Sequence, residues 1–169
     1  AAPTTRSRPS GWSAGEVGHS IVDPKGWANH LGIRGTLEGE ASGTAIARKA
    51  KERLKKTLTA RDVKREACRG NKIAKEILEE AGEYLGIGLA NLIMILNPEK
   101  IILGGGVLKE KGGDIFFKAV KSSVKRHAWP KPRLSCSLVK TKLLETIADL
   151  AVIKRRIVVR AIVSWNCDN

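Results

Sequence analysis

"YLGIGLANLIMILNPEKIILGGGV", residues 84–107, changes its period once, and that change decides the fold. Upstream of Asn97 the apolar residues recur at three- and four-residue steps: Ile73, Ile77, Leu78, Ala81, Leu85, Leu89, Leu92, Ile93 and Leu96. Such spacing predicts a long helix with a buried face. Asn97-Pro98 ends it, because a proline pushes the residue before it out of the helical region. The apolar run 100–103 then reads as a buried parallel strand, and Gly104, Gly105 and Gly106 as a loop at its carboxyl end. An amphipathic helix over 115–127, closed by Pro130, follows. Strand, glycine loop and helix in that order predict an α/β domain with its ligand crevice at the carboxyl ends of the strands.

Two groups of glycines need a reason. Gly82, Gly86 and Gly88 sit inside the predicted helix, where each costs about 1 kcal/mol against alanine. They serve close approach, either by another helix or by a ligand. Gly104 to Gly106 let the backbone approach a flat ring or a phosphate and adopt positive φ freely. They form neither a Walker loop nor a GxGxxG fingerprint.

Toward the N-terminus, "GEVGHSIVDPKGWANHLGIRGTLEGEASG" (15–43) holds Glu16 and His19 three apart, then His30 and Glu38 in a glycine-rich run. Those residues suit a metal, a substrate or a turn, and the stretch contains no cysteine. Residues 20–23 read as a strand end stopped by Pro24. Ser42 is placed to cap a helix that buries Ala45, Ile46, Ala50 and Leu54, and Thr59 to cap another that stops at Gly70. At the other end "RLSCSLVKTKL" (133–143) alternates like a strand containing Cys136. The apolar tail 157–163 reads as a strand interrupted by Arg160, and as an aggregation-prone edge if it stays unpaired.

The chain has 169 residues, 42% of them apolar and 28% charged, which suits one globular domain. No apolar run is long enough for a membrane helix and the first residues lack the apolar core of a signal peptide, so a cytoplasmic location is expected. Cys68, Cys136 and Cys167 are odd in number and have no CxxC spacing, which predicts reduced thiols. The net charge of +14 is spread over helical runs such as 47–56, without interleaved aromatics. Solvated helix faces are expected there, and specific nucleic-acid binding is not.

"GEVGH" (15–19), "GIRGTLEGEASGTAIA" (32–47) and residues 84–107, in that order, resemble the C-terminal half of the ROK family of repressors, reading frames and sugar kinases, its bacterial glucokinases above all. The resemblance spans residues 14–153, leaving 1–13 and 154–169 outside it. It implies an α/β fold, the C-terminal lobe of an actin-like (ribonuclease H-like) ATPase with a sheet flanked by helices. It implies an ATP- and Mg2+-dependent hexose kinase, with glucose as the expected sugar. By position Glu16, His19 and Glu38 become sugar-hydroxyl contacts, and Gly104, Gly105 and Gly106 an adenosine-side loop. The family's zinc cysteines fall on Asn29, Leu31 and Thr36, none a good zinc ligand beside one histidine, so zinc is not expected and the loop 24–37 should be looser.

The family's phosphate loop and catalytic aspartate match nothing here. Asp23, Asp62, Asp114 and Asp149 lie in no corresponding motif, and no catalytic residue is assigned. The expected activity is therefore that of a sugar-binding and adenosine-side half, inactive alone, partnered by a homodimer mate or a missing N-terminal lobe. The alternative is a noncatalytic sugar-binding or dimerisation module, or a fragment of a ROK-type regulator.

Overall fold

The computed structural model describes residues 16–29, 31–109 and 111–140, together with the backbone of a strand at 157–160. Its spine is the predicted long helix, α4 (Lys72–Leu96). Asn71 opens it by accepting a hydrogen bond from the Ala74 amide at 3.1 Å. Asn97 closes it in the left-handed conformation, φ 43°, just before Pro98. Before it come α1 (Leu37–Ala41), α2 (Gly43–Leu54) and α3 (Ala60–Cys68). Ser42 both ends α1 and caps α2, its hydroxyl accepting from the Ala45 amide at 3.1 Å. Thr59 and Asp62 form a reciprocal capping box on α3, which holds the Asp62 carboxyl below the usual range. The Ser42 and Thr59 caps and the stop at Asn97-Pro98 are the ones the sequence predicts.

After α4 comes β1 (Lys100–Gly104), then α5 (Gly113–His127), α6 (Pro130–Ser135), β2 (Ser137–Lys140) and β3 (Ile157–Arg160). The sheet is parallel throughout, in the order β2-β1-β3, with Ile101 opposite Leu138 on one side and Ile157 on the other. Ile101 and Leu103 point into a core shared with Ile77, Leu89, Phe116 and Val120. The sheet therefore has helices packed on it, as an α/β domain requires.

Three readings need correction. Pro130 does not close α5, which has already ended at His127; it opens α6 instead, a position where its fixed φ is pre-organised and its missing N–H costs nothing. The segment 133–135 is consequently helical, and Cys136 is the residue between helix and strand rather than a strand member. Its thiol is free and burial pushes it above its usual pKa. Residues 20–23 make a single antiparallel bridge, Ile21 to Thr36, rather than a strand. In the tail, Ile157 to Arg160 form β3 and are paired to β1, with Arg160 opposite Gly104. Residues 161–163, Asp149, Cys167 and His30 lie outside the described residues.

The helix glycines resolve to packing. A Cβ on Gly86 would lie 2.3 Å from the Ser123 Cβ, and one on Gly82 2.7 Å from that of Ala119, both on α5. Gly88 faces Leu37 of α1 in the same way. Close approach lets the fully buried Ser123 hydroxyl donate to the Glu83 carbonyl of α4 at 2.7 Å. Gly86→Ala should therefore destabilise the chain by about 1–3 kcal/mol, overpacking outweighing the roughly 1 kcal/mol of helix propensity gained. Urea unfolding measures this, and an unchanged or raised midpoint would contradict it.

Candidate functional site

Glu16 precedes a single 3-10 turn, Val17–His19, which ends at exposed His19. Glu38 lies in the first turn of α1, half-buried. The two elements adjoin: a Cβ on Gly18 would sit 3.5 Å from the Glu38 Cβ, and the Leu37 amide donates to the Ser20 carbonyl at 2.8 Å. The turn carrying Glu16 and His19 thus lies against the helix carrying Glu38. Two carboxylates and one imidazole on adjoining elements are suited to accepting from and donating to the hydroxyls of one polyol, since charged partners strengthen each hydrogen bond.

Between them runs the loop 20–36, held by backbone geometry and by side chains. Gly35 adopts φ 61°, with a would-be Cβ 1.5 Å from the Asp23 carbonyl, so glycine alone fits there. Its carbonyl accepts from the Val22 and Asp23 amides and its amide donates to the Trp27 carbonyl. The Asp23 carboxylate accepts from the Tyr84 hydroxyl of α4 at 3.0 Å. Glu40 of α1 accepts from the Trp27 amide at 2.6 Å. It is only 4% exposed and is paired at 3.1 Å with Lys49 of α2, itself 5% exposed. The Lys49 ammonium also donates to the Glu40 carbonyl and to Glu80 of α4, and lies 4.7 Å from the centre of the Tyr84 ring. Arg48 covers the Trp27 ring at 4.7 Å and donates to the Gly39 carbonyl.

Glycines 104–106 divide between two elements. Gly104 ends β1, while Gly105, at φ 118°, and exposed Gly106 form the loop beyond it. A Cβ on Gly106 would meet nothing within 4 Å, so this backbone is open to a flat ligand. Lys64 of α3, 2% exposed, donates to the Gly106 carbonyl at 2.8 Å and to the Lys109 carbonyl at 2.6 Å, which fixes the loop.

The sequence model of the ROK family matches residues 8–148. The chain belongs to the ROK family. It is 38% identical to the glucokinase of Halalkalibacterium halodurans over 133 residues, 70% of this chain and 40% of that protein. To the DNA-binding transcriptional repressor Mlc of Escherichia coli it is 31% identical over 150 residues, 82% of this chain and 36% of that one. The crystal structure of a ROK family glucokinase from Streptomyces griseus in complex with glucose and AMPPNP superposes with a TM-score of 0.68 at 25% identity, covering 79% of this chain and 48% of that one. The chain therefore spans less than half the length of each of these ROK relatives. Its helix-flanked parallel sheet is part of the actin-like ATPase fold of ROK sugar kinases.

The residues standing where the ROK resemblance puts zinc cysteines do not fit a zinc ion. The Asn29 side-chain oxygen is engaged, accepting from the Leu31 and Ile33 amides at 3.0 Å each. Leu31 is hydrocarbon and 64% exposed, and the buried Thr36 hydroxyl caps α1 by accepting from the Gly39 amide. Among the described residues no three His, Cys, Asp or Glu side chains converge as a ligand set, and no helix is long and apolar enough to cross a membrane. The site-forming residues that composition hides are Glu40, Lys49, Lys64 and Tyr84. Lys49 belongs to a basic run expected to be solvated, yet it shares the apolar stripe of Ala45, Ile46 and Ala50, the one signal that marks it.

Tyr84 is the chain's single tyrosine, so its ionisation is directly readable. Burial first, and then the hydrogen bond to Asp23, push its phenol well above the ordinary value. A phenol raised in the folded state contributes stability that is present below pH about 10 and lost as pH rises through the raised value. Phenolate absorbance should therefore appear later in an alkaline titration of the native chain than in denaturant, and Asp23→Ala should bring its onset to lower pH. Identical curves for the two proteins would mean that the loop is not tied to α4 at Asp23.

Proposed function

We propose that this chain supplies the sugar-orienting and adenosine-side residues of a ROK hexose kinase, with glucose as the sugar and ATP as the phosphoryl donor. The packing of the Glu16–His19 turn against the helix bearing Glu38 carries the reading. The similarity to a glucokinase solved with glucose and AMPPNP supports it. In this reading Glu16 and Glu38 accept from sugar hydroxyls, His19 completes the set, and the glycine loop, open at Gly106, lies against the adenosine. ATP when bound would bring the transferable phosphoryl group, and this chain's own contribution is to hold and orient the hydroxyl that receives it.

No residue among those described is assigned as general base or magnesium ligand. Phosphoryl transfer needs a positioned base and metal-assisted charge stabilisation, so turnover by this segment alone is not expected. The likeness to Mlc favours a second reading, in which the same sugar half-site serves a regulator. Both require that the sugar bind.

Calorimetric titration with glucose tests the common step. Saturable binding is expected, weakened about 10- to 100-fold by Glu16→Ala, the effect of removing one charge-assisted hydrogen-bond partner. Absence of heat at millimolar glucose would refute the proposal. Hexose-dependent ADP release by the isolated chain would refute the assignment of a half-site only.

A further inference from the structure

The loop 20–36 closes on α1 without a donor set that fits zinc, and its side-chain fastenings converge on one ion pair. Glu40 reaches across to the Trp27 amide, and its carboxylate fits there because Gly26 has no side chain: a Cβ on Gly26 would lie 2.4 Å from that oxygen. Lys49 holds the same carboxylate and the Glu40 carbonyl, and links both to Glu80 of α4. Burying two charges is costly unless geometry and further hydrogen bonds compensate, and this pair has both. Besides joining α1, α2 and α4, the pair fixes the loop to α1, the helix that carries Glu38.

We infer that the Glu40–Lys49 pair is a metal-independent fastening that takes the place of a metal staple, and that both residues position the loop and Glu38 against the turn bearing Glu16 and His19 for sugar binding. The positioning role rests on the sugar-binding reading above; the fastening itself does not. The charged groups facing the pair are Glu80, Arg48 and, through the Tyr84 ring, Asp23.

The test combines glucose calorimetry with tryptic cleavage after the exposed loop residues Lys25 and Arg34. The wild-type chain should bind glucose with the same affinity before and after exhaustive chelation. Glu40→Gln and Lys49→Met should each weaken binding about tenfold or more and speed cleavage, while Lys49→Arg should restore much of the loss. Gly86→Ala, destabilised on the distant α4–α5 seam, should leave affinity unchanged, which separates positioning from stability alone.

Where a single variant fails to fold, the double variant Glu40→Gln with Lys49→Met leaves no unpaired buried charge. It should recover thermal stability but not glucose affinity or resistance to trypsin. Wild-type affinity and wild-type cleavage in the folded variants would overturn the inference, as would zinc-dependent affinity or protection in the wild type. If the wild type binds no glucose, the sugar reading and the positioning role fall together. Cleavage rates then decide the fastening by themselves: faster in the variants upholds it, unchanged overturns it.

Discussion

The ammonium of Lys49 is the point where α1, α2 and α4 are tied together. It meets the Glu40 carboxylate at 3.1 Å and Glu80 at 2.7 Å, and lies over the Tyr84 ring. Through Glu40 the same knot reaches the Trp27 amide, and Tyr84 extends it to Asp23. Leaving one member of such a buried pair without its partner costs about 3–5 kcal/mol, a large share of a small domain's total stability. Exposed pairs nearby, such as Arg48 with Glu52 on α2, contribute only about 0.3–0.5 kcal/mol.

Both candidate ligand loops follow one construction rule. Each is irregular backbone made possible by glycine, and each is held by a buried lysine from a helix outside the loop. Lys49 holds the loop 20–36 through Glu40, and Lys64 holds the glycine loop by its carbonyls. The helices that present the lysines are fixed in turn by α4, whose glycines admit α5 and α1 to close contact. An irregular loop gains accuracy when its support comes from rigid elements, and here that support is electrostatic at the loop and steric in the core.

Most of the fold is legible in the sequence because its signals are local. Ser42, Thr59 and Asn97 mark helix ends by caps within a few residues, and the stripe from Ile73 to Leu96 marks α4 by its period. The α6 segment escapes because "PKPRLS" is short, and alternation in "RLSCSLV" describes its helix and the following strand equally well. The candidate site is legible in its glutamates and histidine, which carry the family resemblance. Its supports are not. Asp23 and Tyr84 are 61 residues apart, and nothing local pairs them. Asn29 stands where the ROK resemblance puts a zinc cysteine, and its role as acceptor for two amides emerges only when the turn is closed. The buried lysines escape because composition counts a lysine as solvated, although position within the apolar stripe says otherwise.

The loop 20–36 is held by its own hydrogen bonds and by a buried ion pair. Amide hydrogen exchange of the exhaustively chelated chain tests it most directly. The amides of Trp27, Gly35 and Leu37, bonded to Glu40, Trp27 and Ser20 respectively, should exchange far more slowly than in an unstructured peptide, with rates unaffected by added zinc. Exchange at unstructured rates, or protection that arrives only with zinc, would contradict the account.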